Sequence, residues 1–193
     1  MNTSHLEQFE KAVKLREEST QTFIDAWKEY FVFYSFEFWL IVAIFLVPLI
    51  ILYFKIDRSN ILLIGFFGYS INFIGSMINL FGVNRAFWNY PIPMIPAAPS
   101  IAYDTSLVPV TFMFIYQWSL NKNKNYFILA LLASIIFSFL VEPLFIRMNL
   151  FKLYPGITHV HRFFCFIGIS IIAWVITTIF LKMKETEKVK QRS

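Results

Sequence analysis

The chain has 193 residues, of which 58% are hydrophobic and 15% charged, and its mean hydropathy is +0.60. That balance excludes an ordinary soluble domain and describes a polytopic membrane protein. The net charge of +5 is not a nucleic-acid footprint, because the basic residues gather at span ends and in the C-terminal tail. The single cysteine, Cys165, excludes an intrachain disulfide and a Cys-only metal site.

Residues 1–35 read as an amphipathic arm. The first 34 residues are charged throughout, which predicts no cleavable signal peptide. Glu7/Lys11 and Glu10/Lys14 are favourable i,i+4 pairs on a helix. Leu6, Phe9, Val13, Phe23, Trp27, Tyr30 and Tyr34 keep a 3-4 spacing that Arg16 and Thr20 interrupt. Such a helix lies on the membrane or on its own bundle, or else serves as a coiled-coil or partner-binding arm.

Five apolar stretches follow, at about 36–54, 61–82, 102–120, 126–146 and 163–181, each near the 20 residues a bilayer-spanning helix needs. The third contains Pro109 and begins near Asp104. The predicted fold is therefore an all-α bundle of five transmembrane helices over 36–181, with a basic tail at 182–193. Lys182, Lys184, Lys188, Lys190 and Arg192 place that tail in the cytoplasm by the positive-inside rule.

Alternating spans bring the start of the first, the end of the second, the start of the third, the end of the fourth and the start of the fifth to one face. Those ends carry Glu37, Arg85, Asp104, Glu142, His159, His161 and Arg162. The connector 85–109 lies there too. It holds five of the eight prolines and no charge between Ile92 and Ala102. Pro93, Pro96 and Pro99 recur every third residue, which a polyproline II segment would align on one edge. Trp88 and Tyr90 read as headgroup-level anchors. The connector is either a rigid brace between two spans or a lid over a pocket.

In the second span Gly65, Gly68, Asn72, Gly75, Asn79 and Gly82 stack on one side of a helix. Small residues there permit close helix packing, and Asn72 and Asn79 either hydrogen-bond across the seam or face a ligand. Glu142 precedes Pro143 within an apolar run, so its carboxylate pairs with Arg85, Arg147 or Arg162, or else belongs to a site. Glu37 and Asp104 complement helix dipoles at span starts, or join Glu142 as general acid, general base or ligands of a divalent cation. His159 and His161 share one side only in a strand and diverge in a helix. With Glu142 or Asp104 they offer the elements of a zinc site. No phosphate loop or nucleophile elbow is present, and no cofactor is expected.

The pattern Trp88-Asn89-Tyr90-Pro91, Tyr103-Asp104, Leu107-Val108-Pro109 and Tyr116-Gln117 resembles a family of small multi-pass proteins from spore-forming Firmicutes that lack an established activity. The likeness covers residues 36–181 and implies a protein of the bacterial cytoplasmic membrane. A fainter likeness is to the membrane-embedded lycopene cyclases, small helical proteins with carboxylates near helix ends. The adjacent acidic pair of that family is replaced here by Val141-Glu142-Pro143.

The expected function is non-enzymatic binding of a partner protein or lipid headgroup through the face built by the connector, with Glu37, Asn72, Asn79, Arg85, Trp88, Tyr90 and Arg162 as contributors. The alternatives are an enzyme acting on a lipid or isoprenoid through Glu142, Asp104, His159 and His161, and a small transporter working as an oligomer. The bilayer is the one certain partner, a homo-oligomer is compatible, and nucleic acid is not.

Overall fold

A computed structural model describes residues 3–30 and 32–190. Helix α1 spans Thr3–Glu29 and a short 3₁₀ turn, Val32–Tyr34, leads into α2, Phe36–Lys55. Ser35 caps α2 by accepting from the Phe38 N–H, and Glu37 lies in its first turn, where an acid complements the helix dipole. A tight connection follows, in which Asp57 accepts from the backbone N–H and the hydroxyl of Ser59. It returns the chain as α3, Ile61–Asn84.

After the connector the chain is helical over 101–122. A π-helical turn at Tyr103–Leu107 runs into α4, Val108–Lys122. Asn123 closes α4 in the left-handed conformation, and α5, Tyr126–Ile136, begins three residues on. A second π turn, Phe137–Val141, joins α5 to α6, Glu142–Arg147. The last helix, α7, runs from His159 to Lys190. It therefore continues straight into the expected basic tail. Arg192 and the side chains of Lys188 and Lys190 lie outside the described residues.

Both π turns have the same cause. Pro109 and Pro143 each sit just after one, and proline lacks the N–H that an α-helix needs while its ring presses on the preceding turn. Widening that turn to i→i+5 bonding removes the collision and keeps the helix continuous.

The protein is an all-α, multi-pass membrane bundle. Among the described residues, four helical segments are long and apolar enough to span a bilayer: Phe36–Lys55, Arg58–Asn84, Tyr126–Arg147 and His159–Lys184. The expected count of five is thus corrected to four by this criterion. The segment at 102–120 is long enough but less apolar, because it carries Asp104, Thr105, Ser106, Thr111, Gln117 and Ser119. It still runs the length of the bundle. Asp104 at its start bonds to Asn72 and Asn79 of α3, and Gln117 near its end accepts from the Asp57 N–H and donates to the Lys55 carbonyl.

Helix α3 is central, packed on both α4 and α7. The core along it is aromatic, with Phe67 stacked on Tyr116 at 4.3 Å and Tyr126 meeting both edge-on. The small-residue seam is partly realised. A Cβ at Gly68 would overlap Met113 and one at Gly82 would overlap the Trp88 indole, whereas the space beside Gly65 is open.

The connector is not a polyproline II rod. It folds as successive tight turns, closed by bonds from Ala98 to Ile95, Ile101 to Ala98 and Tyr103 to Ser100. These turns satisfy backbone groups that an extended segment would leave unpaired beside the apolar bundle. At its head, Trp88–Asn89 (β1) pairs antiparallel with Lys152–Leu153 (β2), which ties it to the loop before α7. Its middle packs Ile92 and Met94 against Ile41, Ala102 and Leu150.

Candidate functional site

Under the connector, residues from five parts of the chain meet in one polar centre. Its best-defined element is the pair between Glu142, at the start of α6, and Arg162, in the first turn of α7. The Arg162 Nε donates to Glu142 Oε1 at 2.7 Å, with the two side chains 5% and 1% exposed. Removing both charges from water is costly, and contact plus charge-assisted hydrogen bonding offsets much of that cost. Three aromatic faces add to it. The guanidinium carbon lies 4.2 Å from the Trp88 ring centre and 5.3 Å from those of Phe151 and Phe166.

The second element is Asn79 of α3. Its carbonyl oxygen accepts from the Trp88 indole N–H and the Tyr90 hydroxyl, and its amide donates to the Asp104 carboxylate. Asn72, two turns earlier, donates to the Asp104 backbone carbonyl. That carbonyl lies in the first π turn. One helix thus holds the connector through Asn79 and the entry to α4 through both asparagines.

Trp88 and Tyr90 are buried, not headgroup anchors. Their polar atoms find partners inside the protein, which a lipid-facing position would not supply. Glu37, Arg85 and His161 stay outside the centre. Glu37 remains in the first turn of α2, and exposed Arg85 lies over the Phe81 ring. The His161 ring accepts from the Thr158 N–H at the head of its own helix. His159 is partly exposed, and its Nδ1 lies 3.8 Å from Glu142 Oε2.

The two histidines lie on a helix and point apart, so they do not act as a pair. Among the described residues no three His, Cys, Asp or Glu side chains gather as metal ligands. Among the described residues four buried polar atoms have no hydrogen-bond partner, Tyr103 Oη, Ser138 Oγ, Glu142 Oε2 and His159 Nδ1, the last two facing each other at 3.8 Å. The space at the centre is small. A cavity of about 20 Å³ lies among Asn79, Tyr103, Asp104, Arg162 and Cys165, enough for about one water molecule and too small for a lipid substrate.

Sequence reasoning singled out Asn72, Asn79, Asp104, Glu142 and Arg162, named Tyr103 only within the family-like pattern, and missed Phe151. Tyr103 had a local signal, being a tyrosine next to Asp104 at the head of a span. Phe151 had none, since its role depends on a loop folding back over Arg162. Comparisons with protein-family models, curated proteins and solved structures found no match to this chain.

Proposed function

We propose that this integral membrane protein is non-enzymatic and binds a partner protein on its connector face, with α1 as the recognition arm. The observation that carries this reading is the state of α1. Trp27 anchors its end by donating from Nε1 to the Pro93 carbonyl of the connector at 2.9 Å. Beyond that anchor, Leu6, Phe9, Val13 and Phe23 stay exposed, Phe9 by 60%. Exposed apolar side chains at helical spacing suit a facing groove or helix.

Charge favours a protein over the lipid surface. Residues 3–29 hold four basic side chains and six acidic ones, a net of −2, whereas a helix resting on anionic lipid is ordinarily basic. The closed polar centre supports the non-enzymatic part of the reading, because its charges serve to hold the connector in place. The basic residues Lys55, Arg58, Lys122, Lys124, Lys182 and Lys184 support a C-terminus on the cytoplasmic side of a bacterial membrane.

A photo-crosslinking residue at Phe9 or Val13, activated in intact cells, tests this. The expected product is one discrete adduct with a second protein, lost when Leu6→Asp and Phe23→Asp break the apolar stripe. Adducts with lipid alone, or with a second copy alone, refute the partner reading.

One observation favours a second reading, an enzyme acting on a lipid or isoprenoid. The Oε2 of Glu142, without a hydrogen bond and 3.8 Å from His159 Nδ1, has the makings of an acid–base pair once the connector opens. That reading requires Glu142→Gln to abolish a change in membrane lipid composition that the wild type produces.

A further inference from the structure

The opposite end of the bundle, where α2 meets α3 and α4 meets α5, carries an open groove of about 580 Å³ along one side of α4. We propose that this groove binds one anionic phospholipid, its acyl chain along Phe114, Ile115 and Trp118 and its phosphate at Lys122.

The groove is graded along the helix. Phe114 and Lys122 are eight residues apart, about 12 Å along the axis, with apolar walls at one end and an ammonium at the other, where the Asn121 amide is engaged by Asp57. Thr111 adds no free donor, because its hydroxyl is bonded to the Leu107 carbonyl. The Gln117 amide is likewise engaged with Lys55 and Asp57. The polar capacity of the groove is therefore concentrated at the level of Lys122. Trp118, 51% exposed, has the amphipathic ring that settles at the headgroup boundary.

Charge selects the headgroup. Gln117 brings the α2–α3 connection against the last turn of α4, so Lys55, Arg58, Lys122 and Lys124 share this end. The acid among them is Asp57, and its carboxylate is occupied by Ser59, Asn60 and Asn121. Four cations against one engaged carboxylate attract a phosphate carrying net charge more than a zwitterionic headgroup. The site stands apart from the connector face, so its failure leaves the partner reading intact.

The test is native mass spectrometry of the purified full-length protein released from nanodiscs of equimolar phosphatidylglycerol and phosphatidylcholine. The expected result is one phosphatidylglycerol retained in preference. Lys122→Gln should lower that preference about fivefold, the effect of one charge at an anionic surface. Ile115→Trp should displace the lipid by filling the groove, while Lys152→Gln at the far end changes nothing. Equal retention of both lipids, or a preference unchanged by both groove variants, overturns the proposal.

A second measurement covers the case in which Ile115→Trp fails to fold. Brominated phosphatidylglycerol should quench the Trp118 contribution, defined by difference from Trp118→Phe, more strongly than brominated phosphatidylcholine. Equal quenching overturns the site.

Discussion

Replacing Arg162 by methionine should be among the most damaging single changes in this protein. Methionine keeps most of the stem and removes the guanidinium, leaving the 1%-exposed Glu142 without its cation. Stranding one member of a buried ion pair costs about 3–5 kcal/mol. Losing the contact with the Trp88 face, 4.2 Å away, removes up to about 2 kcal/mol more, only partly additive because the same group makes both interactions. We expect about 4 kcal/mol for Arg162→Met and about 3 kcal/mol for Glu142→Gln. The double variant should cost less than the sum by about 3 kcal/mol, since no stranded charge then remains. Arg162→Lys keeps the charge but loses the planar donor and the stacking, so it should fall between. Equilibrium unfolding with SDS in mixed micelles gives each value. A cost below about 1 kcal/mol for Arg162→Met, or additivity of the two changes within about 0.5 kcal/mol, would refute the reasoning.

Other outcomes follow from the same contacts. Asn79→Ala strands the Trp88 N–H, the Tyr90 hydroxyl and an Asp104 oxygen, and should cost about 2–4 kcal/mol in the same unfolding assay. Gly82→Ala drives a Cβ into a fixed indole and should cost about 1–3 kcal/mol, whereas Gly65→Ala meets open space and should gain up to about 1 kcal/mol from helix propensity. Asp57, outside the spans, has its pKa lowered from 3.8 to about 2, chiefly by the Ser59 hydroxyl and then the Asn60 amide. Because the folded value is the depressed one, its cap is fully present above pH 3.8 and is lost as pH falls through about 2. Amide exchange at Ser59 should follow that window, and Asp57→Asn should abolish the dependence.

What could be read from sequence was whatever repeats along one helix. The 3-4 spacing from Gly65 to Gly82 put Asn72 and Asn79 on one side of α3, and that side does face other helices. Their partner was not legible, because Asp104 reaches them only after the connector has folded. Glu142 had three candidate arginines. Arg162 meets it because α6 ends one pass and α7 begins the next at the same level, a relation between segments twenty residues apart. Trp88 and Tyr90 misled because an aromatic–polar dipeptide looks the same whether its polar atoms meet headgroups or an asparagine. The proline period misled likewise, since tight turns use prolines at the same spacing as a polyproline rod. Pro143 did signal a disturbed helix, and the π turn is the form that disturbance takes.

The central claim is that the carboxylates and arginine beneath the connector form a closed brace rather than an open site. Cys165 lines the small cavity at that centre and is the only cysteine, so the native protein carries its own probe. Its rate of labelling by a charged, membrane-impermeant thiol reagent should be compared with that of Arg85→Cys in a Cys165→Ser background. A closed centre predicts labelling at position 85 and reaction at half-buried Cys165 at least ~100-fold slower, because a charged reagent reaches it only through the apolar bundle or by transient opening of the fold. Comparable rates at the two positions would mean an aqueous path to Asp104 and Arg162, and would contradict the account.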